Sequence, residues 1–106
     1  MRIAAIQMVS TPQVADNLET ASALLAQAAQ QGAELVALPE YFCLMGFSDD
    51  DKRTIAEQAG QGEIQNFLQA QARALGVWLV GGSIPLQVAG SDRVTNSQLV
   101  FNPQGE

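Results

Sequence analysis

A chain of 106 residues holds at most one small domain, and with 47% hydrophobic against 15% charged residues it is a core-former and not a disordered tail. Its formal charge of −6 and its scattered basic residues, of which only Lys52 and Arg53 are adjacent, argue against a nucleic-acid partner, because phosphate backbones are gripped by clustered Lys and Arg. The absence of histidine excludes, within this chain, a Ser-His-Asp triad, a Cys-His pair and a His-ligated zinc site.

Residues 2–9 (RIAAIQMV) are largely apolar and read as a strand buried on both faces, as in a parallel sheet. No apolar run here or later is long enough to cross a bilayer or to form a signal-peptide core, so no membrane partner is expected. Thr11-Pro12 breaks the strand. A helix follows, with Asp16 as its N-cap and Glu19 at the capping-box spacing; it buries Leu18, Ala21, Leu25 and Ala28, with Leu24 beside them, and Gly32 closes it. Residues 34–38 (ELVAL) form a second strand, stopped by Pro39. Strand, helix, strand is a βαβ unit, whose two strands are expected to be parallel.

Residues 40–51 read as a loop rich in aromatics, glycine and acids, in which Asp49-Asp50-Asp51 is a solvated stretch. A weak helical stretch is expected over 53–59. A clear helix spans 63–75, burying Ile64, Phe67, Leu68, Ala72 and Leu75 and ending at Gly76. Residues 77–80 (VWLV) form a buried strand with Trp78, like Phe67, in the core. After a polar loop over 89–93, residues 96–101 alternate as one further strand. Asn102, Pro103 and Gly105 occupy the first, second and fourth positions of a type I turn. Such a turn leads into a partner strand, yet only Glu106 remains, so the chain reads as a fragment, with a natural short protein whose last strand has a frayed tail as the alternative.

Glu40 is the foremost candidate for chemistry. It follows Pro39 at the carboxyl end of a parallel strand, where open α/β sheets place their ligands. Its neighbours Leu38, Pro39, Tyr41 and Phe42 are apolar, and desolvation by them would raise a carboxyl pKa towards the range of a useful base. On these grounds alone, a surface or helix-capping carboxylate is an equally good reading. Cys43 reads as a small packed hydrophobe, since no activating cation adjoins it. As a lone cysteine it makes no internal disulfide, and a reducing compartment, the cytoplasm, is expected. Gly81-Gly82 lacks the phosphate-binding pattern and reads as a pair that permits close packing at a strand end. The acidic run lacks the alternating spacing of a calcium loop.

Five segments in order resemble the nitrilase superfamily of carbon–nitrogen hydrolases, in its branch of Nit-type amidases. They are the opening MRIAAIQM, the helix entry with Asn17, the stretch GAELVALPEYF, the run ARALGVWLVGGSIP, and NSQLVFNPQGE. The resemblance implies an α/β fold, the α-β-β-α sandwich, of which residues 1–106 supply about the first half of one subunit as the N-terminal part of the domain. It implies a Glu–Lys–Cys triad that hydrolyses an amide or nitrile, with Glu40 as the proton-relaying glutamate. The family's lysine motif begins just after residue 106 and its cysteine lies further on; Lys52 and Cys43 sit in the wrong segments to replace them. By the same resemblance Tyr41 and Phe42 bind substrate, lining or supporting the pocket mouth. No cofactor or metal is implied. The expected partners are a small-molecule amide and further copies of the subunit in a homo-oligomer. Short ω-amides, deaminated glutathione-like amides, nitriles and N-carbamoyl compounds all stand as substrates, with the loop after Glu40 favouring a small dicarboxylic monoamide. The reading from another class is a non-catalytic α/β half-domain that binds a partner or a small ligand, and the sequence downstream of Glu106 decides between them.

Overall fold

The expected βαβ unit forms. Strand β1 (Ile3–Ala5) pairs in parallel with β2 (Leu35–Ala37), and α1 (Val14–Gln30) crosses between them. The computed structural model describes residues 1–46 and 49–106. Phe47 and Ser48, which belong to the expected 40–51 loop, and the side chains of Asp49 and Asp50 lie outside the described residues.

Helix α1 buries Leu18, Ala21, Leu25 and Ala28, as the sequence spacing requires, with Asn17 buried beside them. Its start differs from expectation. The helix begins at Val14 with Gln13 at the N-cap position, so Asp16 lies in the first turn and caps nothing. An acid there still favours the helix, because the first turn is the positive end of the backbone dipole. Past its end the chain turns at Gly32, whose φ of 90° only glycine adopts without strain.

The expected loop holds over the described residues 40–46, while the weak helix expected over 53–59 forms four residues earlier, as α2 (Asp49–Ile55). Aspartates opening it and Lys52 and Arg53 in its last turn match both ends of the dipole, so the acidic run starts a helix instead of extending the loop. Helix α3 (Glu63–Leu75) has the expected bounds and buries Ile64, Leu68 and Ala72, whereas Phe67 and Leu75 are only partly covered. The Glu57 carboxylate caps it from outside the helix, accepting from Ile64 N at 2.6 Å and Gln65 N at 3.1 Å.

Strand β3 (Trp78–Val80) adds in parallel to β2, and the four-stranded sheet runs β1-β2-β3-β6, with β6 (Val100–Phe101) antiparallel at the far side. The register aligns Ala4, Val36, Leu79 and Phe101 in one row. These residues join the core with Leu18, Leu25 and Leu68, so both long helices pack on this face. The opposite face carries Ile3, Leu35 and Trp78 in one row and Ala37, Val80 and Val100 in the next. There Ile3 is 65%, Trp78 43% and Val100 52% exposed. Two expectations fail for this one reason. The first strand is covered on one face only, and Trp78 is not in the core, because no layer among the described residues packs against that side of the sheet.

The expected strand over 96–101 is also two strands. Strand β4 (Ile84–Gln87), which the sequence reading did not separate, pairs antiparallel with β5 (Val94–Ser97) in a sheet of its own. The chain then crosses back to lay β6 beside β3. Gly105 N donates to Asn102 O at 2.9 Å, closing the expected turn.

Candidate functional site

Glu40 lies just past the carboxyl end of β2, and an isolated parallel bridge to Ser83 keeps the β2–β3 register beyond the last strand pair, Ala37 with Val80. Tyr41 N donates to Ser83 O at 3.1 Å and to Ser83 Oγ at 3.0 Å. This approach depends on Gly82. A Cβ at that position would stand 2.1 Å from Pro39 O, and its φ is 63°. Gly81 is nearly as tight, with a would-be Cβ 2.8 Å from Leu68 Cδ1. The glycine pair therefore does permit close packing at a strand end, and what it brings close is the Glu40 segment.

Directly after Glu40 the backbone turns through Tyr41, the one non-glycine residue with positive φ (47°) among the described residues. A side-chain-bearing residue held there costs on the order of 1–3 kcal/mol and persists only where its surroundings over-determine it. Here they do. Ser10 Oγ donates to Phe42 O at 2.7 Å, and Met45 N donates to Thr11 O at 2.9 Å. Between these bonds sits Asn17, 1% exposed. Its Nδ2 donates to Thr11 O at 2.7 Å and Cys43 O at 2.8 Å, and its Oδ1 accepts from Thr11 N at 2.8 Å. The first loop and the Glu40 loop are thus pinned to one buried amide.

The carboxylate of Glu40 is exposed. Its apolar sequence neighbours do not desolvate it as expected, because Leu38 and Phe42 belong to the core. Asn96 Nδ2 donates to Glu40 Oε1 at 3.4 Å, reaching it from β5. Glu40 borders a cleft of about 320 Å³ with Leu38, Gly82, Ser83, Asn96 and Gln98. Asn96 also borders a second cleft of about 560 Å³, walled by Tyr41, Lys52, Arg53, Asp92, Arg93 and Val94. Lys52 Nζ stands 4.2 Å above the centre of the Tyr41 ring, a cation–π contact that holds the ammonium at the cleft wall.

Of the two aromatics expected at the pocket mouth, Tyr41 borders a cleft and Phe42 does not. Phe42 is wholly buried, its ring centre 6.4 Å from that of Phe67, and it supports the loop from beneath. Cys43 is also wholly buried, and its thiol is pushed up from 9.0 to about 12, first by desolvation and further by the charge of Glu57, against a lowering backbone hydrogen bond. A thiol so poised is no nucleophile. Among the described residues no three of His, Cys, Asp and Glu come together as metal ligands would. Sequence reasoning missed Ser83 and Asn96. Ser83 could have been found from the glycine pair before it; Asn96 reaches Glu40 only because β5 pairs with β4.

A family model described as carbon-nitrogen hydrolase matches residues 2–106. The chain is 35% identical over 104 residues to deaminated glutathione amidase of Synechocystis sp. (strain PCC 6803 / GT-S), covering 97% of this chain and 38% of that protein. It is 37% identical over 106 residues to omega-amidase NIT2-B of Xenopus laevis, covering 98% and 36%. Among solved structures it is similar to the C. elegans NitFhit protein, with a TM-score of 0.87 at 25% identity over 98% of this chain and 25% of that one. It is similar also to Saccharomyces cerevisiae Nit3, a member of branch 10 of the nitrilase superfamily, with a TM-score of 0.80 at 30% identity over 92% and 37%. The chain spans 36–38% of the length of these two curated relatives.

Proposed function

The chain belongs to the carbon-nitrogen hydrolase family, and from that premise we propose that it carries the acid–base glutamate, Glu40, for hydrolysis of a small amide. The observation that supports this most is the placement of Glu40. Its backbone is fixed by the Ser83 bridge on one side and the Asn17 clamp on the other, while its carboxylate opens onto a cleft at the carboxyl end of a parallel strand. A group that must accept a proton and return it needs a fixed position and access to the reacting atoms. The relatives named as amidases share this stretch of sequence, and the amide class is taken from them.

In this reading a thiolate adds to the amide carbon, a lysine stabilises the tetrahedral intermediate, and Glu40 takes the thiol proton and passes it to the leaving amine. Buried Cys43 does not serve as that thiol. The nucleophile and the lysine are proposed to come from outside these 106 residues, in a complete protein of the length of its relatives.

The test is Glu40→Gln in the complete protein, which keeps side-chain size and removes the proton acceptor. Turnover of a small ω-amide should fall by about 10²–10⁴-fold, the usual contribution of a positioned acid–base group. The melting temperature should stay within error of wild type. Activity within a few-fold of wild type would end the catalytic reading of Glu40.

A further inference from the structure

We infer that Asn96 is a positioning residue of this site: its amide holds Oε1 of Glu40 and leaves Oε2 to carry the proton. The inference rests on the acid–base reading of Glu40 above and adds the side chain through which that carboxylate is aimed.

The first observation is what Asn96 bonds to. Among the described residues the hydrogen-bond partner of its side chain is the Glu40 carboxylate, to which Nδ2 donates at 3.4 Å. Two other asparagines bind backbone instead. Asn17 holds Thr11 and Cys43, and Asn102 Oδ1 accepts from Gln104 N and Glu106 N in the closing turn. Asn96 caps no helix and closes no turn. It lies inside β5, where asparagine is disfavoured, and such local conflicts gather at functional sites.

The second observation is how Asn96 is placed. The register pairs Asn96 with Pro85 and Ser97 with Ile84, and both partners are fully buried. Strand β4 begins directly after Ser83, whose carbonyl and hydroxyl accept from Tyr41 N. One stretch of chain, 83–87, therefore fixes the Glu40 segment through Ser83 and carries the strand that brings Asn96 to the carboxylate. Val94 and Asn96 alternate onto the cleft side of β5, while Thr95 Oγ1 and Ser97 Oγ pair with each other at 2.7 Å.

The chemistry suits an amide. A carboxylate has two oxygens, and a base has to present one of them to the thiol. An amide N–H is a neutral donor that neither surrenders its proton nor competes for another. With Oε1 held, Oε2 takes the proton as the S–H bond breaks and releases it as the N–H bond of the leaving amine forms. A length of 3.4 Å is long for a hydrogen bond, as catalytic ones often are before substrate tightens them.

The experiment measures kcat and KM for succinamate in the complete protein with Asn96→Asp, Asn96→Ala and Asn96→Gln, each alone and combined with Glu40→Gln. Asn96→Asp keeps the shape but turns the donor into a charged acceptor. Its kcat should fall by about ten- to hundredfold, the worth of a hydrogen bond to a charged group. Asn96→Ala removes the donor without adding charge and should fall less, and Asn96→Gln, which keeps the donor, should recover most of the rate. KM should change little, and melting temperatures should stay near wild type because the side chain is exposed. In the Glu40→Gln background the penalty of Asn96→Asp should vanish, since a residue that acts through Glu40 has nothing left to act through. An Asn96→Asp rate within a few-fold of wild type would overturn the inference. So would a loss that lies in KM, one that follows the melting temperature across the variants, or one that persists in full beside Glu40→Gln. If Glu40→Gln itself keeps the wild-type rate, the acid–base reading fails and takes this inference with it. A loss in Glu40→Gln without one in Asn96→Asp sinks this inference alone.

Discussion

Replacing Asn17 with alanine should cost the protein about 2–4 kcal/mol, which follows from what the side chain leaves behind. Asn17 is 1% exposed and satisfies three backbone groups, Thr11 N, Thr11 O and Cys43 O. Each buried partner left without a hydrogen bond costs roughly 1–3 kcal/mol. The three are not equal. Thr11 is exposed, and its carbonyl also accepts from Met45 N, so water and that neighbour recover much of its loss. The Cys43 carbonyl is in a residue with no exposed surface and has no such recourse. Asn17→Asp should do no better, since it keeps the acceptor for Thr11 N but turns a second oxygen towards two carbonyls. Urea unfolding reads the effect as a lower midpoint at unchanged slope. A loss below about 0.5 kcal/mol, the range of ordinary surface substitutions, would refute the view that this amide clamps the two loops.

Cys43 should resist a bulky thiol reagent in the native protein and react at once in denaturant, and fast native modification would contradict its burial. Its raised thiol pKa sets a sign as well: from about pH 9 to about 12 the unfolded chain loses a proton that the folded one keeps, so stability falls as pH rises through that window. Cys43→Ala should flatten that part of a stability–pH curve, and an unchanged slope would argue against the assignment. Gly82→Ala should destabilise by roughly 1–3 kcal/mol or more, since φ is positive and the new methyl meets Pro39 O. It should also cut any amidase activity, because the Ser83 contact that fixes Tyr41 cannot form; a melt and a rate close to wild type would mean that the backbone yields there without consequence.

What could be read from the sequence was what local periodicity encodes. The spacing of Leu18, Ala21, Leu25 and Ala28 located one helix face, and Gly76 ended the other helix where the sequence put it. The strand, helix, strand order gave the parallel pairing of β1 with β2. What failed depended on partners far along the chain. Trp78 is as apolar as Leu79 in sequence, but the register sends one to the face under the helices and the other to the uncovered face. Residues 96–101 alternate evenly enough to pass for one strand; only the competing partners β4 and β3 divide them. Glu40 was legible as a position, through Pro39 and the strand end. Its environment was not, because the apolar residues around it in sequence turn away from it in space.

The sheet order explains why Glu40 in particular is so firmly held. In β1-β2-β3, β2 is central, so the loop that follows it lies between the loops that leave its two neighbours. The segment after β1 supplies Ser10 and Thr11 to one side of the Glu40 loop, and the segment after β3 supplies Ser83 to the other. Each of these bonds has a backbone group at one end at least, and none uses the Glu40 carboxylate. That carboxylate meets Asn96 at 3.4 Å, the long end of hydrogen-bonding range, and is left to face the cleft. In the role proposed for Glu40, position and chemistry are therefore carried by different atoms of the same residue. For that reason Glu40→Gln can separate them: the fold has no stake in the charge, so a loss of rate in a protein that melts normally reports on proton transfer alone. Had the carboxylate been a capping group like that of Glu57, which holds Ile64 N and Gln65 N, the same substitution would weaken a helix and the two effects could not be told apart.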